Sequence, residues 1–327
     1  MNNFVKFAQI EPTTRCNYTC GFCVGRTMRQ GDVSWDVFTK FLDSHPSLQH
    51  VQLQGEGEPG LHPNFFKMIE ACTSKGIRVS TITNGSLLSE HFVERLLSNP
   101  IDTMHVSLEA ANPIEFGEIR GGKFNKVVEG LSLLMRRRFE LGLNRPVVGL
   151  TVTVLRRTLG ALDEIVALYK RLGLDGGIGV QPLQAMPVYT SAYDDKMKNQ
   201  SVDFQKWNEY RVNFSNVMKR ENITFLTEPF YHSLFEDFDA TTLSCPWLDR
   251  ATYISIDGDV LGCCYMKKRH DAFGNILLHA PEKIADRRQA LATLLREGKI
   301  APPCEGCAVA ISIATAANAK RIHNGNK

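Results

Sequence analysis

From residue 6 to about residue 183 the chain alternates short runs rich in Val, Ile and Thr with longer helical patterns, six times in succession. The strand candidates are 6–10, 50–54, 77–83, 103–108, 147–155 and 177–183, each bounded by Gly, Pro or Asn. The helical candidates between them are 34–44, 64–74, 89–98, 123–141 and 159–172. Ser34 and Ser89 suit N-caps, because a short side-chain oxygen there accepts from the free backbone N–H groups of the first turn. Gly76 and Gly173 stand where a helix commonly ends in a left-handed residue. Strands separated by helices run parallel with right-handed crossovers, which predicts an α/β fold, either a doubly wound sheet or a full or partial barrel. In all of these, chemistry belongs on the loops after the strand C-termini.

Composition excludes several classes. A chain with 43% hydrophobic and 22% charged residues is ordinary for a globular protein, and a net charge of +3 gives no case for a nucleic-acid partner. The basic run Arg136–Arg138 falls in a long helix and reads as a solvated face; the polar tail 320–327 reads as frayed. No apolar stretch approaches the ~18 residues of a membrane span, and the N-terminus lacks a secretory apolar core, so the expected location is cytoplasmic. Nine cysteines in a reducing compartment call for metal rather than disulfides.

Three of those cysteines, Cys16, Cys20 and Cys23, follow the first strand at C-x3-C-x2-C spacing. Thiolates are the usual ligands of iron–sulfur clusters, and three ligands on a four-iron cubane leave one iron open. A zinc knuckle is the alternative, but it wants a fourth Cys or His close by, and the next histidine is His45. Polar or glycine-rich runs follow the next three strands: Gly55-Glu56-Gly57-Glu58-Pro59, Thr83-Asn84-Gly85 and Ser107-Leu108-Glu109. With Phe22 before the last cysteine, this set resembles the signature of the radical S-adenosylmethionine (SAM) superfamily. The resemblance implies a partial (β/α)6 TIM-like barrel over 1–183 and a 4Fe–4S cluster on Cys16, Cys20 and Cys23. SAM would chelate the open iron and be cleaved to a 5′-deoxyadenosyl radical. It also implies SAM contacts from Phe22, Gly55, Gly57, Glu58, Pro59, Asn84, Ser107 and Glu109. Glu58 is expected to accept from the SAM ammonium group, and Arg120 to pair with the SAM carboxylate.

After a less regular stretch, 184–244, a second cysteine group begins. Cys245 and Cys263 are joined by C-x12-G-x4-C through Gly258, and Cys304-x2-Cys307 supplies another pair. This resembles the SPASM/twitch module found behind many radical SAM barrels. No cysteine follows Cys307, so the pattern fits the shorter twitch form, a small cysteine-rich module over 245–327 with one closed auxiliary 4Fe–4S cluster. A structural zinc ribbon is the alternative for these four ligands. Cys72 reads as an ordinary buried residue. Cys264 reads as packing, as a replacement ligand for Cys263, or as a hydrogen-atom donor.

Two reactions suit this equipment. In one, the substrate radical loses a proton and its electron passes to the auxiliary cluster, a dehydrogenation with precedent in aminocyclitol natural-product pathways. In the other, an epimerisation, Cys264 quenches the radical from the opposite face. Cysteine ligands begin at residue 16, leaving no room before them for a peptide-binding domain, which favours a small polyhydroxylated substrate (a sugar or aminocyclitol) over a peptide. Gln181 and the segment 227–232 are expected near the barrel mouth. The partner implied is a one-electron reductant such as flavodoxin or ferredoxin. A non-catalytic iron–sulfur or zinc protein and a zinc-dependent hydrolase are the readings from other classes.

Overall fold

The computed structural model describes residues 5–226 and 237–325. The expected 227–232 segment lies outside the described residues. Six parallel strands form the barrel sheet: β1 (Phe7–Ile10), β2 (His50–Leu53), β3 (Arg78–Thr83), β4 (Thr103–Ser107), β5 (Val147–Val154) and β6 (Ile178–Pro182). A two-residue strand, β7 (Phe225–Leu226), extends it beyond β6. The connecting helices are α1 (Trp35–Ser44), α2 (Phe65–Thr73), α3 (Glu90–Leu97), α4 (Pro113–Arg120), α5 (Phe124–Glu140) and α6 (Leu162–Arg171). This is the α/β arrangement that the alternation predicts, in the partial (β/α)6 form that the resemblance implies, with element bounds that agree to within about a turn.

The local reasons hold as well. Ser34 and Ser89 accept from Val37 N (3.2 Å) and Phe92 N (3.4 Å), capping α1 and α3. Gly76 and Gly173 have φ of 72° and 64°. Helix α1 buries Val37, Phe38, Phe41 and Leu42, a single apolar stripe laid on the sheet. Helix α4 was not expected. It is short, carries Gly117 inside, and buries little more than Phe116, Ile119 and Arg120, so its apolar period is weak. Its start is set instead by Asn112, whose side chain accepts from Glu115 N (2.9 Å), and by Pro113 in the first turn.

Past β6 come α7 (Pro187–Thr190), α8 (Phe204–Arg220), α9 (Pro246–Arg250), β8 (Ala251–Ile254), β9 (Asp259–Leu261), β10 (Gly274–Asn275), α10 (Pro281–Arg296) and α11 (Ala308–Gly325). The sheet order is β10-β9-β8-β1-β2-β3-β4-β5-β6-β7, because β8 pairs in parallel with β1, Phe7 opposite Ala251. The cysteine-rich segment, 245–327, carries apolar side chains as well as its cysteines. It shares the barrel's core: Trp247, Tyr253 and Ile254 are buried, and the Phe7 and Trp247 rings meet edge-on at 5.7 Å. Residues 320–325 of the tail read as frayed form the end of α11, with Lys320 Nζ donating to Thr241 O (2.6 Å). The arginine run is more than a solvated face, since Arg137 reaches Glu94 (2.7 Å) and Arg138 reaches Asp175 (2.8 Å). Among the described residues no helix is long and apolar enough to cross a membrane.

Ending the chain at Ser244 would strip β8 from β1 and bare a row of unpaired backbone groups beside buried apolar side chains. Such a truncation is expected to be insoluble or rapidly digested under conditions where the full chain resists limited proteolysis.

Candidate active site

The loops after β1 to β6 converge on one cavity. Its walls include Cys16, Cys20 and Cys23 on one side, and Cys264, Tyr265 and Lys267, which follow β9, on another. Of the residues expected to contact SAM, Phe22, Gly55, Gly57, Glu58, Asn84, Ser107 and Arg120 line it. Pro59 is buried at the start of a short 3-10 turn, and Glu109 is buried behind Arg120. Gln181 lines the cavity as expected.

The glycines of the second loop are there for close approach. A side chain at Gly57 would collide with the backbone carbonyls of Thr13 and Arg15, and one at Gly55 with the Glu11 side chain. Glu58 N donates to Arg15 O (2.9 Å), pinning the second loop onto the first. The Glu58 carboxylate is 2% exposed, and both its oxygens are in use: Thr83 Oγ1 and Asn84 N donate to them, each at 2.7 Å. Burial raises its pKa against the pull of those donors. Glu58 therefore organises the third loop. Asn84 in turn donates from Nδ2 to Asn17 Oδ1 (2.9 Å) and lies 3.7 Å from Cys16 Sγ.

Arg120 and Glu109, read separately as SAM contacts, are paired with each other. Arg120 Nη2 donates to Glu109 Oε1 (2.6 Å) and Nε donates to Oε2, in a fork-to-carboxylate contact with both side chains nearly excluded from solvent. The third guanidinium nitrogen, Nη1, stands 3.8 Å from Cys20 Sγ. The guanidinium also lies 5.9 Å from the Phe22 ring centroid. Arg120 is thus a fixed positive charge facing the thiol loop. Ser107 Oγ is 3.3 Å from Thr151 Oγ1.

The thiol sites fit a metal. Burial pushes the Cys20 thiol up to about 11, and raises Cys16 and Cys23 as well. Free thiols here stay protonated, so binding a soft cation is what would make them thiolates. The donor set of three sulfurs beside an open cavity, faced by an amide and a guanidinium, suits a cluster with one iron left exposed. In the second group, burial first and then the neighbouring Cys264, Cys307, Cys245 and Cys304 push Cys263 well above its ordinary value. Burial likewise lifts Cys245 to about 11 and Cys304 to about 12. Cys263 keeps company with Cys245, Cys304 and Cys307, whereas Cys264 lines the cavity. Cys72 is fully buried in α2. Glu11, Glu56 and Lys267 had no reading as site residues, although Glu56 sits inside the quoted motif; only the parallel pairing of β8 on β1 brings Lys267 to the others.

Comparison with known proteins defines the class. The profile of the Radical SAM superfamily matches residues 10–175, and that of the SPASM iron–sulfur cluster-binding domain matches residues 245–308. The chain belongs to the radical SAM superfamily, with a C-terminal SPASM region, and so to enzymes built on a SAM-binding 4Fe–4S cluster and auxiliary iron–sulfur chemistry. It is 29% identical over 201 residues to the tungsten-containing aldehyde ferredoxin oxidoreductase cofactor-modifying protein of Pyrococcus furiosus, covering 58% of this chain and 56% of that one. It thus spans little more than half the length of that relative. It is 25% identical over 307 residues to the mycofactocin maturase MftC of Mycobacterium tuberculosis, covering 91% and 74%. Among solved structures, Streptococcus suis SuiB bound to S-adenosylmethionine superposes with a TM-score of 0.71 at 16% identity, covering 95% of this chain and 72% of that one, a likeness of fold.

Replacing Arg120 by Met would leave the Glu109 carboxylate buried without its partner. The expected loss is about 3–5 kcal/mol, read as a lower denaturant midpoint, and Glu109→Met added to Arg120→Met should restore most of it.

Proposed function

We propose that this protein is a radical SAM oxidoreductase that dehydrogenates a small polyhydroxylated substrate, sugar-like or aminocyclitol-like. The observation carrying the reading is the shared cavity: Cys264, adjacent to Cys263, faces the space lined by Cys16, Cys20 and Cys23. A substrate there lies between the two cysteine groups. The bound cluster and SAM supply a 5′-deoxyadenosyl radical. The chain's own residues must then hold a C–H bond toward it, exclude water, and let one further proton and electron leave. Loss of one hydrogen atom, then of a proton and an electron, turns an alcohol into a carbonyl, with the auxiliary cluster as the electron's destination.

The lining supports a hydroxyl-rich ligand. Gln54 and Gln181 present buried amide oxygens without a protein partner, and Gln184, Tyr189, Tyr193 and Tyr265 add neutral polar groups. Unpaired acceptors of this kind reward a substrate that brings hydroxyl or amine donors. The oxygen-sensitive clusters and the need for single electrons fit a reducing cytoplasm and a donor such as flavodoxin or ferredoxin.

Epimerisation is the second reading, favoured by one observation: the 6% exposed Cys264 lines the cavity. A thiol there can return a hydrogen atom to a substrate radical. A peptide substrate stays within this second reading.

Turnover in deuterated water separates the two. A product lighter by two hydrogens supports dehydrogenation; deuterium at carbon without net mass loss supports inversion and sinks the first reading. In the dehydrogenation reading Cys264→Ala keeps product formation, whereas in the inversion reading it stops product but spares 5′-deoxyadenosine release.

Iron content tests the ligand assignment. Anaerobically reconstituted protein is expected to hold about eight irons. The Cys304→Ala/Cys307→Ala variant should fall to about four while still cleaving SAM. Cys20→Ala should lose a similar share of iron together with all 5′-deoxyadenosine formation.

A further inference from the structure

Three charged side chains from distant parts of the sequence meet beside the cavity: Glu11 after β1, Glu56 after β2 and Lys267 after β9. Lys267 Nζ lies 2.6 Å from Glu56 Oε1, with the two side chains 5% and 15% exposed. Glu11 Oε1 accepts from Glu56 N (2.9 Å), and the Lys267 ammonium sits 4.8 Å from the Tyr253 ring centroid. Burial raises the Glu11 carboxyl towards its neutral form. Burial pulls Lys267 down, but Glu56 and then Glu11 outweigh it and keep the ammonium charged. The working pair is therefore Lys267 with Glu56.

The other side of Glu56 faces the thiol loop. Glu56 Oε2 lies 3.6 Å from Cys23 Sγ, and the Glu56 backbone oxygen lies 3.7 Å from it. A carboxylate at that distance from a thiolate ligand opposes any further electron, since charges in a water-poor site act with little screening. The ammonium on the far oxygen cancels that charge. Lys267 is four residues past Cys263, so the cancelling charge is delivered by the segment that carries the auxiliary ligand.

We propose that Lys267 is a positioning residue that holds Glu56 against its own ammonium, and so raises the reduction potential of the N-terminal cluster. The role is independent of whether the product is a carbonyl or an epimer, and it rests on Cys23 being a ligand of that cluster.

The test is a redox titration of the reconstituted holoenzyme followed by electron paramagnetic resonance; the N-terminal signal is the one that changes when SAM is added. Lys267→Met is expected to move its midpoint to a more negative potential, and Glu56→Gln to a more positive one. The double variant Lys267→Met/Glu56→Gln should return close to the native value, and Lys267→Arg should keep it. A native midpoint in Lys267→Met with full iron content overturns the proposal, as does a shift that Glu56→Gln fails to cancel. If Lys267→Met does not fold, Glu56→Gln decides alone: a positive shift supports the role, and no shift or a negative one ends it. A native protein with no SAM-responsive signal would remove the ligand assignment and the proposal with it.

Discussion

The active-site loops depend on one buried carboxylate. Glu58 binds the first loop through its backbone N–H to Arg15 and the third through both carboxylate oxygens, to Thr83 and the Asn84 N–H. Gly57 makes this possible, since any side chain there would strike the backbone of residues 13–15. Asn84 then passes the constraint on to Asn17 and the edge of Cys16. Three loops from three strands are thereby held as one body around the thiols. A carboxylate this deeply buried is tolerable only because each oxygen has its donor.

Charge in the cavity wall is arranged in pairs. Arg120 is committed to Glu109, and Lys267 to Glu56, yet each pair leaves one group against a sulfur of the thiol loop: Arg120 at Cys20 and Glu56 at Cys23. Buried ion pairs are poor sources of stability compared with apolar packing. Their position beside the sulfurs accounts for them better, because neighbouring charge is among the factors that tune an iron–sulfur site.

The C-terminal segment is joined to the barrel through its backbone. Strand β8 covers the edge of β1 that a six-stranded sheet would leave open, and Trp247 and Tyr253 enter the same core as Phe38 and Phe41. That seam sets where Cys263, Cys264 and Lys267 stand. Cys245, Cys263, Cys304 and Cys307 are not among the residues lining the cavity, whereas Cys264, Tyr265 and Lys267, just past Cys263, are. A single short stretch thus serves both cysteine groups.

Strand and helix positions through residue 183 were legible because each helix shows its apolar stripe and each strand its β-branched run, both local properties. The thiol loop, the glycine-rich second loop and the C-terminal cysteine group were legible as groups because their spacing is written along the chain. Helix α4 was not, having too short an apolar period to register. Nor was the tie between Arg120 and Glu109, or that between Lys267 and Glu56, since 11 and 211 residues separate the partners. By itself the sequence determined the class of fold, the family and the metal-binding residue types. Only the tertiary structure decided which charges are already spoken for and which face the cavity: Arg120 meets Glu109 through the way α4 folds after β4, and Lys267 meets Glu56 only with β8 docked beside β1, a strand order set by packing among distant segments.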